Sequence, residues 1–273
     1  MGTIDRLEGQ RAFGNDPEGY HRARPAYPDR VFDILRQRCC LRPGCRTFEI
    51  GPGTGLCTRR LIELGASPLV VIEPDERLAD FLTRTLEPVS AVDVRVATFE
   101  QVRLPLEWFD LGASASAFHW LDETRSLSKV ARTLRDGGWW AMWWNLFFDR
   151  SRVAEFQKAS RFLLDDLDRS PSWGSGGGPS FALDAEARIA NLKALNTFDH
   201  VQLEIITWTI VLDAQRIMRL YSTFSPISRL PPEKRQRLLH DLGQIANKQF
   251  GGEIEFPITT PVYTAQRRKR SSK

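Results

Sequence analysis

Phe48-Glu-Ile-Gly-Pro-Gly-Thr-Gly55 is the stretch that decides the fold, and Val70-Val-Ile-Glu-Pro-Asp75 is its partner further along the chain. Both are apolar runs typical of buried strands; the first ends in a glycine-rich turn and the second on the carboxylate of Glu73. Glycine lets a backbone approach a ligand closely, because a Cβ would clash there. The two segments predict a nucleotide-binding βαβ unit in which Glu73 accepts hydrogen bonds from both ribose hydroxyls.

The spacing of the glycines bears on which nucleotide binds. A dinucleotide site follows G-x-G-x-x-G and places the pyrophosphate on a helix N-terminus. Here the pattern is Glu49-x-Gly51-x-Gly53-x-Gly55. The carboxylate of Glu49 repels a pyrophosphate and suits a ligand with an ammonium group. An NAD-dependent oxidoreductase is the alternative enzyme, disfavoured because the third glycine falls one position early.

The first segment resembles the first motif of the class I S-adenosylmethionine (SAM) methyltransferases. The resemblance implies SAM as the cofactor, with Glu73 on the ribose, the glycine loop under the methionine part and Glu49 near its amino group. In these two segments the residues assigned to the cofactor are Glu49, Gly51, Pro52, Gly53, Gly55, Glu73 and Pro74.

Alternating apolar strands and amphipathic helices predict an α/β fold, with a doubly wound seven-stranded, mostly parallel sheet and a helical cap. This is the Rossmann-like fold that the resemblance implies, with the last strand antiparallel. The predicted strands are Thr47–Ile50, Leu69–Ile72, Val92–Val96, Phe109–Ser114, Trp139–Trp144, Val201–Ile210 and Ile254–Ala265. The predicted helices include Pro28–Leu41, Asp75–Leu86, Thr124–Leu134, Arg216–Tyr221 and Pro232–Asn247.

The change of rhythm after Trp144 suggests a division of the chain. We predict a lead-in or lid (1–30), a SAM-binding core (31–145), a helical cap insertion (146–200), strands six and seven with further cap helices (201–266) and a basic tail (267–273). Asn145–Leu167 is predicted as one long helical insertion. The glycine-rich stretch Ser172–Ser180 reads as a surface linker or a mobile lid edge.

Composition excludes several classes of protein. The N-terminus lacks an apolar signal region and no apolar run is long enough to span a membrane, which predicts a cytoplasmic protein that binds no membrane. The four cysteines form no C-x-x-C pair, so we expect reduced thiols and no metal. The net charge of +4 comes largely from the basic tail and is weak evidence for nucleic-acid binding.

Further matches occur in the order of the family's motifs. After strand three, Thr98 stands where the family usually has an acid that bonds the adenine amino group, so this anchor is weaker here. Phe99 supplies a backbone N–H and a flat wall for the adenine, or its ring is simply core. Ser114, at the end of strand four, is also assigned to the cofactor by the resemblance.

Four segments point to the small-molecule branch of the family. Ser114–Asp122 carries its typical His-Trp pair, and Tyr20–Pro28 resembles the lead-in of the trans-aconitate-methyltransferase-like group. Tyr221–Ser228 and Pro261–Arg267 resemble that group's late segments. The resemblance therefore covers nearly the whole chain.

His119 is the candidate catalytic residue, because it follows strand four at the edge where such sheets bind ligands and its ordinary pKa of about 6.5 suits a general base. The alternative is an orienting histidine. Tyr20 closes over the methyl group, and Arg24 neutralises the methionine carboxylate or an anionic substrate, unless it is a surface arginine. The residues predicted to bind the acceptor are Trp120, Asn145, Phe147 and Tyr221.

Missing motifs narrow the acceptor. Amino-directed DNA methyltransferases carry Asn/Asp/Ser-Pro-Pro-Tyr after strand four and base C5-methyltransferases a Pro-Cys, whereas this chain has Ser116-Ala-Phe-His119. We therefore expect a small, partly apolar acceptor and no nucleic acid, with O-methylation first, N-methylation second, and a monomer or homodimer. The rival from another class is a non-catalytic module that binds SAM or another metabolite.

Overall fold

One seven-stranded sheet forms the centre of the protein in the computed structural model, which describes residue 4 and residues 13–86, 92–170, 172 and 178–269. Its strands are β1 (Cys45–Ile50), β2 (Ala66–Glu73), β3 (Val92–Val96), β4 (Phe109–Ala115), β5 (Leu134–Trp143), β6 (Phe198–Leu212) and β7 (Ile254–Arg267). Their order is β3-β2-β1-β4-β5-β7-β6. The β2–β3, β1–β2, β1–β4 and β4–β5 pairs are parallel and β5–β7 is antiparallel. The predicted α/β fold with an antiparallel last strand is confirmed.

Helices connect the strands along the chain, and local capping residues set where several of them begin. They are α1 (Pro17–Ala23), α2 (Asp29–Gln37), α3 (Leu56–Glu63), α4 (Glu76–Leu86), α5 (Glu123–Thr133), α6 (Glu155–Ser160), α7 (Ala185–Ala194), α8 (Ala214–Ser222), α9 (Ser225–Ser228) and α10 (Pro232–Phe250). An aspartate caps four of them, its carboxylate accepting a hydrogen bond from an N–H of the first turn. These caps are Asp16, Asp122, Asp184 and Asp213.

The inner strands are buried because helices cover them. The ring of Phe48 on β1 packs against Phe99, Phe109 and Trp140, with centroid distances of 5.1 to 6.2 Å. A Cβ on Gly112 would lie 2.4 Å from the Phe48 ring, so the glycine on β4 makes room for that ring. The apolar run of β5 is sheet core, as predicted.

The chain forms two compact units. The sheet unit combines residues 26–144, 182–206 and 261–273, and the aromatic unit combines residues 1–25, 145–181 and 207–260. The division predicted from the sequence follows chain position, whereas each unit combines three separate segments.

The prediction of one long helix over Asn145–Leu167 is wrong. The structure has only the six residues of α6 there, followed by a 3₁₀ turn at Arg161–Leu163. Asp149 explains this, because its Oδ1 accepts hydrogen bonds from the N–H and the hydroxyl of Ser151 and its Oδ2 accepts one from Thr259. Such local side-chain bonds compete with a helix.

Three helices lie where none was predicted, and parts of two predicted segments lie outside the described residues. The structure adds α1, α7 and α9, which the apolar pattern did not reveal. Residues 173–177 of the glycine-rich stretch and 270–273 of the basic tail lie outside the described residues. None of the helices in the described ranges combines the length and apolar character needed to cross a membrane.

Candidate functional site

The turn between β1 and α3 requires glycine. Gly51, Gly53 and Gly55 have φ values of +66°, +56° and +85°, which side-chain-bearing residues rarely adopt. A Cβ on Gly51 would lie 2.5 Å from the Cβ of Ala117, and one on Gly55 would lie 2.4 Å from Leu82. The turn therefore exposes backbone rather than side chains next to the start of α3.

Glu73 ends β2 and is joined to this glycine turn. Its Oε2 accepts a hydrogen bond from the Gly53 N–H at 3.0 Å, and its Oε1 accepts one from the Asp75 N–H at 3.1 Å. Burial raises the pKa of Glu73 to about 7, against the effect of these two amides. Each oxygen keeps a second acceptor position, so the carboxylate is suited to a ligand with two hydroxyl donors.

Glu49 is a buried carboxylate on β1, just before the turn. Its Oε2 accepts a hydrogen bond from the Thr58 hydroxyl at 2.7 Å, while its Oε1 has no partner among the described residues. Burial raises the pKa of Glu49 to about 7, and the Thr58 hydroxyl acts in the opposite direction. A buried acceptor without a donor is costly, and a ligand with an ammonium group would satisfy it.

The loop after β3 lies beside Glu73, because the Ala97 N–H donates to the Glu73 carbonyl at 3.2 Å. Thr98 is half-buried, and its hydroxyl accepts a hydrogen bond from the Gln101 N–H. The Phe99 ring is buried and stacks on Phe48 with an interplanar angle of 7°. This packing favours the core alternative for the Phe99 ring, and a role of Phe99 in binding adenine through its backbone N–H stays a prediction.

Lys129 on α5 fastens this loop, and the sequence analysis missed it. Its ammonium group donates hydrogen bonds to the carbonyls of Phe99 (2.5 Å), Glu100 (3.2 Å) and Val102 (2.5 Å). It also lies 5.0 Å from the centroid of the Phe99 ring. No pattern in the local sequence reveals this contact, because the lysine lies far from the loop along the chain.

The end of β4 is held by two serines. The Ser114 hydroxyl donates to the Ile50 carbonyl at 3.1 Å, so its hydrogen binds the chain rather than a ligand. Ser116 has a φ of +56°, its N–H donates to the Trp143 carbonyl and its hydroxyl accepts a bond from Tyr27 at 3.0 Å. These contacts place the following turn, Phe118–Trp120, after the strand.

His119 lies buried in that turn and is held by an indole. The Nε1–H of Trp144 donates a hydrogen bond to Nδ1 of His119 at 3.0 Å. Because an indole nitrogen only donates, Nδ1 carries no proton and the neutral ring has its proton on Nε2. The predicted base would need its accepting nitrogen, which is the one Trp144 occupies, so this arrangement favours the alternative of an orienting histidine.

Trp144 stands out in the tryptophan-rich run. The Nε1 atoms of Trp140 and Trp143 are buried without a hydrogen-bond partner in the described part of the chain. Buried indole N–H groups usually find a hydrogen-bond partner, so the tryptophan-rich run indicated that one of its indoles donates to a nearby residue. The sequence analysis did not use this signal. Trp120 is buried beside His119, with ring centroids 4.8 Å apart, and its role as a pocket wall stays a prediction.

In the aromatic unit, Arg24 is the centre of three rings. Its guanidinium carbon lies 5.2 Å from the ring centroid of Tyr20, 5.1 Å from that of Phe147 and 4.8 Å from that of Phe224. Arg24 is half-buried against these rings, which favours a role in the unit over that of a freely solvated surface arginine. We call Arg24 and these rings the Arg24 cage.

Two other residues predicted to bind the acceptor have structural contacts in this unit. Asn145 accepts a hydrogen bond from the Thr260 hydroxyl at 2.8 Å and donates to the Pro25 carbonyl at 3.4 Å. Tyr221 is fully buried, and its ring packs against Phe148, Phe156, Phe224 and Phe256. As the structure stands, Tyr221 belongs to the core of the unit.

Metal ligands are not grouped in the described part of the chain: no three His, Cys, Asp or Glu side chains there are placed to hold a metal ion.

Comparison with known proteins decides the class of the enzyme. Residues 48–142 match the family model of the methyltransferase domain. An uncharacterized methyltransferase of Schizosaccharomyces pombe is 26% identical over 261 residues, which cover 94% of this chain and 97% of that protein. The protein is a class I SAM-dependent methyltransferase. This sets aside the NAD-dependent oxidoreductase and the non-catalytic module.

One further relative agrees with this assignment, and a solved structure shares the fold. An uncharacterized methyltransferase of Mycobacterium tuberculosis is 26% identical over 243 residues, or 89% of the methyltransferase described here and 88% of the relative. A phosphoethanolamine N-methyltransferase of Haemonchus contortus, solved with phosphomonomethylethanolamine and S-adenosylhomocysteine, shares the fold with a TM-score of 0.60 and 13% identity. That alignment covers 97% of this chain and 60% of the Haemonchus chain.

The residues of the sheet unit fit SAM. The glycine turn offers backbone, Glu73 offers acceptors for ribose hydroxyls, and the unpartnered Oε1 of Glu49 would accept a bond from the methionine ammonium. When bound, SAM supplies a methyl group on a positively charged sulfur, which is a good leaving group.

Proposed function

We propose that this methyltransferase transfers its methyl group to an oxygen of a small molecule, a carboxylate first and a hydroxyl second, with nitrogen acceptors behind them. The observation that carries the proposal is the hydrogen bond from Trp144 to Nδ1 of His119. The similarity of Tyr20–Pro28 to the trans-aconitate-methyltransferase-like group supports a carboxylic acceptor.

Carboxylate, hydroxyl and amine acceptors differ in whether they release a proton on methylation. The acceptor oxygen forms a bond to the methyl carbon, the carbon–sulfur bond breaks and its electron pair stays on sulfur. A carboxylate brings its own negative charge and releases no proton, whereas a hydroxyl or an amine must lose one. With Nδ1 bound to Trp144, His119 presents a donor at Nε2, which suits an oxygen that is already anionic.

Two observations support a small acceptor, one from the sequence and one from the aromatic unit. The chain lacks the motifs with which DNA methyltransferases receive a base. The aromatic unit packs a cluster of buried apolar residues around Phe147, Tyr221 and Phe224, which suits an acceptor with an apolar body. We propose a monomer or homodimer that uses no nucleic acid.

The test is methyl transfer from radiolabelled SAM to matched acceptors: phenylacetate, 2-phenylethanol and 2-phenylethylamine, with a DNA duplex as the macromolecular comparison. We expect transfer to phenylacetate above the others. Transfer to the amine or to DNA alone would overturn the proposal. Amines belong in the panel because the Haemonchus structure contains phosphomonomethylethanolamine.

A pair of His119 variants tests the donor role. Glutamine keeps an N–H donor and alanine does not, so H119Q should retain most of the turnover while H119A loses about tenfold or more, with SAM affinity unchanged in both. Equal losses in H119A and H119Q, together with a wild-type rate that rises with pH, would instead identify a general base.

A further inference from the structure

Lys129 on α5 holds the loop that follows β3, and three carbonyl groups of that loop face it. We call residues 97–102 the β3 loop. Its carbonyls at Phe99, Glu100 and Val102 accept hydrogen bonds from the lysine ammonium group at 2.5, 3.2 and 2.5 Å. An ammonium group carries three N–H donors, so one side chain can satisfy all three carbonyls. The contact joins a side chain to loop backbone, and it therefore fixes where the peptide groups of the loop point.

Two N–H groups of the β3 loop point out of it. The N–H groups of Phe99 and Glu100 form no hydrogen bond with any described residue. In a trans peptide unit the N–H and the C=O point in opposite directions. The Thr98 carbonyl binds N–H groups inside the loop and the Phe99 carbonyl binds Lys129, so the N–H of the following residue points away in each case. The loop therefore presents donors to a ligand, and Lys129 sets the direction of the second donor.

The β3 loop is held from two sides before a ligand binds. The Phe99 ring stacks on Phe48 of β1 with a centroid distance of 6.1 Å, and Lys129 lies 5.0 Å from the centroid of the same Phe99 ring. Donors that are fixed in advance cost little further conformational entropy when they bind a ligand. All of these residues belong to the sheet unit, so the loop is a preorganised part of that unit.

The position of the β3 loop in the sheet relates it to the base of SAM. Strand β2 lies between β1 and β3, so Glu73 has the glycine turn on one side and the β3 loop on the other. The Ala97 N–H donates to the Glu73 carbonyl at 3.2 Å. With the ribose on Glu73 and the methionine part over the glycine turn, the adenine would lie beside the β3 loop. Ring nitrogens of adenine accept hydrogen bonds, which complements the N–H groups of the loop.

We infer that Lys129 is a positioning residue for the adenine half of SAM. By binding the loop carbonyls it keeps the N–H groups of Phe99 and Glu100 turned toward the base. These donors matter more in this chain because Thr98 stands where the resemblance implies an acid for the adenine amino group. The inference goes beyond the proposed function, since it concerns SAM alone and holds for any methyl acceptor.

Calorimetric titration with S-adenosylhomocysteine and its 1-deaza, 3-deaza and 7-deaza analogues tests the inference. Each analogue replaces one ring nitrogen of the base by C–H and so removes one acceptor. Wild type should bind at least one analogue about tenfold more weakly than the parent ligand, as for one lost hydrogen bond. Equal affinities of wild type for all four ligands would overturn the inference, because no donor of the loop would then contact the base.

Lys129→Met keeps the length of the side chain and removes its donors. This variant should bind S-adenosylhomocysteine about tenfold more weakly than wild type, and it should no longer distinguish it from the analogue that wild type binds weakly. A loss of affinity by the same factor for all four ligands would show that the lysine is only structural and would overturn the inference. Unchanged affinity for all four ligands would overturn it as well.

Thermal unfolding checks that Lys129→Met folds, and Lys129→Arg decides if it does not. A planar guanidinium cannot reproduce the three hydrogen bonds of an ammonium group, so the discrimination between parent and analogue should fall to about threefold. Undiminished discrimination in the arginine variant would contradict the positioning role.

Arg125→Gln is the matched control, because Arg125 lies on the same helix, is exposed and pairs only loosely with Asp122 at 3.9 Å. It removes a positive charge from α5 without removing a donor to the β3 loop, and it should leave all four affinities unchanged. A loss in R125Q equal to that in K129M would reduce the effect to charge near the site and overturn the inference. None of these titrations contains an acceptor, so their outcome is independent of the proposed oxygen acceptor.

Discussion

The glycine turn of the sheet unit and the Arg24 cage of the aromatic unit are formed by different chemical groups. The turn uses backbone groups and two carboxylates from the short stretch 49–75, and its geometry follows from left-handed glycine conformations. The cage uses side chains from α1, from the segment after β5 and from the end of α8. A site made of backbone leaves a local sequence motif, whereas a site made of assembled side chains does not.

The two sites also differ in charge. Glu49 and Glu73 bury negative charge that desolvation disfavours, which raises their pKa values to about 7. Arg24 brings a positive charge among aromatic rings. The sheet unit therefore suits donors such as hydroxyl and ammonium groups, and the aromatic unit suits an acceptor such as a carboxylate.

The largest expected effect comes from Glu73→Ala. It removes the acceptors for ribose and also the partners of the Gly53 and Asp75 N–H groups, so SAM affinity should fall about 10- to 100-fold, or ~1.4–3 kcal/mol. Isothermal titration calorimetry measures it, and thermal unfolding with and without ligand checks that the variant folds. If Arg24→Gln lowered SAM affinity as much as Glu73→Ala, the contrast between the two units would break down.

The next largest effect is expected in the pH dependence of unfolding free energy and SAM affinity, through Glu49 and Glu73. In the unfolded chain Glu49 and Glu73 release protons near pH 4.5, whereas in the folded protein they keep them until about pH 7. The folded state binds more protons in this window, so unfolding free energy should fall as pH rises from 4.5 to 7, by on the order of 1–3 kcal/mol per carboxyl. SAM affinity should rise over the same window, because ribose hydroxyls bind the ionised carboxylate better.

Carboxylates with hydrogen-bond or ion-pair partners should show the opposite sign at lower pH, and Asp149 is the example in the aromatic unit. Burial acts to raise the pKa of Asp149, but hydrogen bonds from Thr259 and Ser151 hold it below the usual value. Its stabilising contribution is present at neutral pH and lost only as pH falls below about 4. Denaturant melts between pH 3 and 8 compare wild type with a Glu49→Gln, Glu73→Gln double variant. The double variant should lose the decline in unfolding free energy above pH 4.5 and keep the loss of stability below about pH 4. A decline of unchanged size would remove these carboxyls as its cause.

The smallest effect is expected from Tyr221→Phe. The Tyr221 hydroxyl is buried and makes at most a weak hydrogen bond with the Ser160 hydroxyl, so its loss should change stability by less than ~1 kcal/mol. Tyr263→Phe is the matched control in the sheet unit, since that hydroxyl donates to the Ala182 carbonyl at 2.8 Å and its loss should cost about 1 kcal/mol. Denaturant titration measures both.

Turnover of Tyr221→Phe decides a further point. If Tyr221 contacts the acceptor through its hydroxyl, as the sequence predicts, turnover falls while stability does not. Unchanged turnover would assign the residue to the core alone.

Much of the sheet unit was predictable because its elements carry local signals. The β3 prediction matches Val92–Val96, and five other strands are extended by one to three residues at their ends. The strand β5 begins five residues earlier and ends one residue earlier than predicted. Predictions failed where tertiary contacts overrode local pattern, as in the segment after Asp149, where hydrogen bonds from Ser151 and Thr259 replace a helix. Whether the Phe99 ring is core or a binding surface could not be predicted for a similar reason. Its burial depends on stacking against Phe48, which is distant in the chain.

The sequence by itself determined the order of the seven strands along the chain, the glycine turn, the carboxylate that ends β2 and, through them, the expectation of SAM. These follow from residue types at fixed short spacings, and backbone conformation is a local property. Only the tertiary structure decided the proton position on His119, the clamp of Lys129 and the cage around Arg24, because each depends on residues distant in the chain. Hydrogen-bond direction and charge neutralisation are properties of neighbours in space, and a sequence alone does not name those neighbours.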